Sequence, residues 1–100
     1  DSAPSTLDVL PGIVKAVDKR ATVIVDSGVR RGSDIVKAMA LGARACLIGR
    51  AGLYGLAAGG EAGVASAVSI LQKEIDITQA LLGVADLSLI DQDVLWKSAA

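Results

Sequence analysis

The sequence predicts an α/β fold in which short parallel strands lie beneath helices, and three observations predict it. The 100 residues are 52% hydrophobic with a mean hydropathy of +0.54. One Trp, one Tyr and no Phe contribute, so the apolar mass is Ala, Val, Ile and Leu, the composition of strands buried on both faces. Helical and strand patterns alternate along the chain, which implies a parallel sheet with right-handed crossovers. Both strand candidates, "IVDSG" and "CLIGR", end in glycine, with arginine in or just after the turn.

The first helix rests on Leu7, Leu10, Val14 and Val17, spaced by three, four and three. Pro4 and Ser5 precede it as an entry, and Pro11 is tolerable only near a first turn, which argues for a start closer to Val9. "ATVIV" (21–25) reads as a buried β-branched strand. After the loop "DSGVRRG", Ser33 or Asp34 caps a second helix, "DIVKAMALGA". Ile35, Val36 and Met39 form its apolar face, and Gly42 is its stop. "RACLIG" (44–49) reads as a second strand, and "RAGLYGLAAGG" (50–60) as a segment holding a short helix. A long helix runs from about Glu61 to Leu82, with Val64, Val68, Leu71, Ile75 and Leu82 on one face and Gly83 ending it. "ADLSLIDQDVLW" (85–96) is expected to form a last short helix.

Two strands alone would leave edges and a face uncovered. The order helix, strand, helix, strand, helix therefore fits the C-terminal portion of a (β/α)₈ TIM barrel: its last two βα units plus a terminal helix. A whole barrel needs about 250 residues.

The net charge of −1 carries no general footprint for nucleic acid. Residues 1–50 hold eight basic and five acidic side chains, and residues 51–100 hold two and six, so anion binding belongs to the first half. No apolar run reaches the length of a membrane span and no secretory leader is evident. The single Cys46 excludes an internal disulfide, suits a reducing compartment and is expected to be a packed core residue. The chain has no histidine, which removes the commonest general base, His-containing metal sites and Ser-His triads from it.

Glycine lets a backbone N–H approach a ligand without an intervening Cβ, and arginine offers a planar fork that matches phosphate oxygens. A phosphate between the last two strands of a barrel, near a short extra helix, is a recurring arrangement. "RAGLYGLAAGG" is placed to supply that helix start. One such loop is more often a plain turn with a solvated charge; two at matching positions favour an anion site. Arg30, nearer the strand end, is the better phosphate ligand, whereas Arg31 either faces solvent or pairs with an acid. Asp26 is open to three roles: a ribose or ribityl contact, an acceptor that orients the helix, or a partner of Arg30. Ser27 is either a donor or merely small. Tyr54 and Trp96 read as packing residues, and Glu61 as a carboxylate placed to favour a helix dipole.

The stretch "DSGVRRGSDIVKAMALGARACLIGRAGLYGLAAGGEAGV" carries D-(G/S)-G-x-R-x-G, A-L-G-A, I-G-R and Y-G-L-A-x-G-G-E-x-G-V in order. It resembles the C-terminal part of the FMN-dependent 2-hydroxy-acid oxidases and dehydrogenases, whose members oxidise lactate, glycolate or mandelate. The resemblance continues through "ITQALLGVADLSLI" and back through "DSAPSTLDVLPGIVKAV". It implies that Asp26, Ser27, Gly28, Val29 and Arg30 form one FMN-contacting turn and Gly49 and Arg50 the second, with both arginines at the phosphate. Ser27 stands where glycine is common.

The family's catalytic histidine and substrate-gripping arginine belong to a segment whose last acid aligns with Asp1. The resemblance thus implies that residues 1–100 are one segment of an FMN-binding barrel whose upstream part is a separate chain. It also implies a homo-oligomer, commonly a tetramer, that is cytoplasmic or peripheral on the inner face of a membrane. The competing readings are another phosphate-binding barrel, of the inosine monophosphate dehydrogenase or FMN-dependent isomerase kind, and a small non-enzymatic phosphate-binding module.

Overall fold

The computed structural model describes residues 2–97. Helix α1 spans Thr6–Val17, three residues earlier at its start than Pro11 suggests. Ser5 explains the early start, because its hydroxyl accepts the Asp8 N–H at 3.2 Å and caps the first turn. Pro11 then falls in the second turn, where its missing N–H leaves the Leu7 carbonyl without its usual donor. At the other end Asp18 and Lys19 take positive φ, and the Arg20 guanidinium donates to the carbonyls of Val17 and Ala16.

Strands β1 (Ile24–Val25) and β2 (Ala45–Cys46) pair in parallel, Ile24 opposite Ala45 and Val25 opposite Cys46. Flanking bonds run from the Arg44 N–H to Val23 and from the Leu47 N–H to Val25. Both strands are shorter than the apolar runs 21–25 and 44–49 that hold them. A ladder needs a partner, and each strand is paired along one edge only within the described residues.

Helix α2 (Gly32–Ala40) starts two residues before Asp34, with Arg31 as its N-cap rather than Ser33 or Asp34. Asp34 still closes the start, reaching back from the third helical position. Gly42 stops the helix as expected, at φ +108, and lies so close to α1 that a Cβ there would meet Val14 at 2.8 Å.

Helix α3 (Arg50–Leu82) is broken at Gly59 (φ −154°, ψ 21°) and Gly60 (φ 60°, ψ −140°) into arms 50–58 and 61–82. This is the short helix and long helix expected, with Gly83 left-handed at the end. The break folds one arm onto the other: a Cβ on Gly63 would strike the Gly55 carbonyl. The last segment forms two 3₁₀ turns, Leu87–Leu89 and Gln92–Val94, instead of one helix. Asp86 and Asp91 open them by accepting the N–H two residues on, at 2.8 and 2.9 Å, and this local bonding competes with a continuous helix.

The core is small. Leu10, Val25, Ala38 and Ala43 are buried together, with Leu7, Val14, Val23, Leu41 and the half-buried Cys46 against them. Val36 and Ala40 of α2 and Leu71 of α3 are also buried. Tyr54 and Trp96 do not pack into it. They are 69% and 95% exposed, because no described element covers them. No helix of the described residues is long and apolar enough to cross a membrane.

Candidate functional site

Val25 is buried, and the chain leaves the sheet at Asp26, whose carboxylate accepts the Ser27 N–H at 2.8 Å. Ser27 and Gly28 follow, both at φ +81, a conformation that glycine adopts freely and serine does not. The Thr6 hydroxyl donates to the Ser27 carbonyl at 3.3 Å, tying this turn to the start of α1. Of the three roles open to Asp26, pairing with Arg30 is not formed among the described residues. The single ion pair there joins Arg31 to Glu74, Nη1 to Oε2 at 3.9 Å.

The second turn follows β2. Gly49 is the N-cap of α3 and brings no side-chain acceptor, so the N–H groups of Arg50 and Ala51 point out of the helix unclaimed by its ladder. At Gly28 and Gly49 a Cβ would meet no protein atom within 4 Å, so the backbone at both positions borders open space.

That space is a cavity of about 500 Å³ between the two turns. All seven sequence candidates line it: Asp26, Ser27, Gly28, Val29, Arg30, Gly49 and Arg50. Leu47, Ala51, Leu53 and Tyr54 complete it. Arg50, Leu53 and Tyr54 are three and four residues apart on a helix, a spacing that would have found Leu53 and Tyr54 from Arg50 alone.

The two helix starts differ in electrostatics. At α2, the Asp34 carboxylate accepts from Arg30 and Arg31 N–H at 3.0 and 2.9 Å, and Glu74 accepts from Gly32 N–H at 3.2 Å. The Gly32 N–H is therefore taken, whereas that of Ser33 meets no acceptor among the described residues. At α3 the donors are open, and a partial positive charge accompanies them. An anion in the cavity thus has two guanidinium groups and one open helix start available to it.

Cys46 of β2 is half-buried, and that burial pushes its thiol above the ordinary value. Among the described residues no cluster of His, Cys, Asp and Glu could hold a metal ion.

The family described as FMN-dependent dehydrogenase matches residues 1–97. The chain belongs to that family. It is 53% identical over 95% of its length to an L-lactate oxidase of Nostoc sp., covering 26% of that protein. It is 44% identical over 98% of its length to human 2-hydroxyacid oxidase 1, again covering 26%. Among solved structures it matches a monotopic membrane (S)-mandelate dehydrogenase, 48% identical with a TM-score of 0.91 over 98% of this chain and 26% of that one. A sulfite-bound flavocytochrome b2 matches at 35% identity and a TM-score of 0.87, over 94% and 26%. The chain therefore spans about a quarter of the length of its relatives and forms part of a larger barrel fold.

The family's cofactor is FMN, and the donor set suits its phosphate: cationic forks, open N–H groups and two glycines whose Cβ positions border the cavity.

Proposed function

We propose that the complete protein is an FMN-dependent oxidoreductase that converts an L-2-hydroxy acid of the lactate, glycolate or mandelate class to the 2-oxo acid. This chain is its C-terminal quarter, residues 1–100 being one segment of a single barrel domain, and its share is to anchor FMN. Arg30 and Arg50 grip the phosphate, with the α3 start and the N–H of Gly28 beside them. Asp26, through the carboxylate oxygen that Ser27 leaves free, accepts a ribityl hydroxyl. Ser27 and Val29 shape the turn, and Gly49 leaves room for the phosphate.

The observation that carries this reading is the meeting of both glycine–arginine turns at one cavity that the open start of α3 also borders. Oxidation of the hydroxy acid removes two electrons and two protons from its C2 carbinol, and bound FMN supplies the electron acceptor. The chain holds no histidine, so the base comes from the upstream part, which is this chain's partner in the barrel. The Asp1 alignment that places that segment lies outside the described residues. The assembly is a homo-oligomer, cytoplasmic or peripheral on the inner face of a membrane.

The test is titration of the complete apoprotein with FMN. Arg50→Ala is expected to weaken binding by about tenfold or more, as loss of a charge-assisted bond does. Unchanged binding would sink the assignment.

The family match favours this reading over an inosine monophosphate dehydrogenase-like one. One observation favours a variant of it. A pre-mycofactocin synthase of Mycobacterium tuberculosis is 50% identical over 91% of this chain. This quarter is therefore shared with a protein of differently named activity, and on the present reading selectivity for substrate lies upstream. Turnover of lactate, glycolate and mandelate by the complete enzyme decides between them: oxidation of one supports the hydroxy-acid reading, and oxidation of none supports the variant.

A further inference from the structure

Directly behind the turn that carries Arg30, three consecutive backbone N–H groups end on two carboxylates. Asp34 takes those of Arg30 and Arg31, and Glu74 takes that of Gly32. Asp34 is local, whereas Glu74 arrives from the second arm of α3, 42 residues away in sequence. The fit around Gly32 is tight: a Cβ there would lie 2.6 Å from the Glu74 Cβ and 2.7 Å from its carbonyl carbon. Glu74 is half-buried, and its second oxygen faces the Arg31 guanidinium at 3.9 Å.

Asp34 shares its charge between two N–H groups, whereas Glu74 takes one, and its remaining charge would disfavour an anion at the neighbouring turn if left uncompensated. Arg31 supplies that compensation, and Arg30 is left free to line the cavity.

We infer that Glu74 is a positioning residue for the FMN phosphate: its bond to Gly32 N–H sets the Arg30 turn, and Arg31 neutralises it so that the phosphate is not repelled. The inference rests on the FMN reading above and extends it to residues that do not touch the cavity.

The experiment measures FMN dissociation constants of the complete apoprotein by flavin fluorescence, with thermal stability in parallel. Glu74→Ala is expected to weaken FMN binding by about tenfold, whereas Glu74→Gln, which still accepts from Gly32, stays within about threefold of wild type. Arg31→Ala is expected to weaken binding by about threefold, more at low salt, and the Arg31→Ala/Glu74→Gln pair to recover it. Leu10→Ala, in the core at α1, is the structural control and is expected to lower stability without moving the FMN constant. Wild-type affinity in Glu74→Ala, a Gln variant as weak as the Ala variant, or no recovery in the pair would each overturn the inference. If Glu74→Ala does not fold, the Arg31 pair decides alone. Arg30→Ala and Arg50→Ala keep the two claims apart. If both retain FMN the underlying reading fails; if both lose it while the Glu74 and Arg31 variants do not, only the inference fails.

Discussion

Ser27 sits at φ +81 in a position where a side chain is strained, held there by Thr6 and by the Asp26 carboxylate. Left-handed backbone at a non-glycine residue costs on the order of 1 kcal/mol or more. Replacing it by glycine relieves that strain but enlarges the freedom of the unfolded chain. Ser27→Gly is therefore expected to stabilise the complete protein by about 0.5 kcal/mol in urea denaturation. Gly28→Ala meets no protein atom yet takes on the same backbone strain, and is expected to cost about 1 kcal/mol. Cys46 gives a pH dependence. Its thiol is raised by burial, so the protonated form is favoured on folding. That contribution is complete below the ordinary thiol range and is lost as pH rises through and beyond it. Alkylation at pH 8 is expected to run well below the rate of an exposed cysteine, and an equal rate would show that the β2 packing is wrong. The residues that line the cavity could be picked out at this scale because glycine and arginine act locally at a strand end. Tyr54 and Trp96, read as packing residues, are exposed among the described residues, because burial depends on what covers a side chain, which one residue's type does not tell.

At the scale of elements, the glycine breaks were legible and the helix starts were not. Gly59–Gly60 and Gly83 mark the limits of the long arm through their own backbone preferences. The start of α1 depended on a Ser5 hydroxyl that outweighed Pro11. The start of α2 is closed locally by Asp34 and also by Glu74, 42 residues on, a contact no local pattern reveals. Strand lengths were overestimated because short apolar runs report propensity while the ladder requires neighbours. The Gly55–Gly63 crossing sets where arm 50–58, and hence Arg50, enters the cavity. Gly63→Ala is expected to destabilise the protein by about 1–3 kcal/mol through overpacking and to weaken FMN binding with it. Normal stability and normal FMN affinity in that variant would show that the crossing does not set the Arg50 position.

For the whole molecule, the radius of gyration of 14.6 Å exceeds the roughly 13 Å of a compact 100-residue domain. Ile24, Ile70, Ile77 and Leu81 lie exposed, apolar surface that a chain covering only a quarter of its relatives leaves without a partner among the described residues. The barrel slice was legible in the alternation of elements, since two parallel strands leave too little core to stand alone. The chain expressed by itself is expected to self-associate, and to become soluble and yellow when co-expressed with the rest of the protein. A sharp monomer of about 10 kDa in light scattering would instead support an independent module. The central claim is that Arg30, Arg50 and the start of α3 hold the phosphate of FMN. Its most direct test compares FMN with riboflavin, which lacks the phosphate, on the complete apoprotein and on Arg30→Ala/Arg50→Ala. The account predicts that wild type prefers FMN strongly and that the double variant loses most of that preference while still binding riboflavin. An undiminished preference for FMN in the double variant would contradict it.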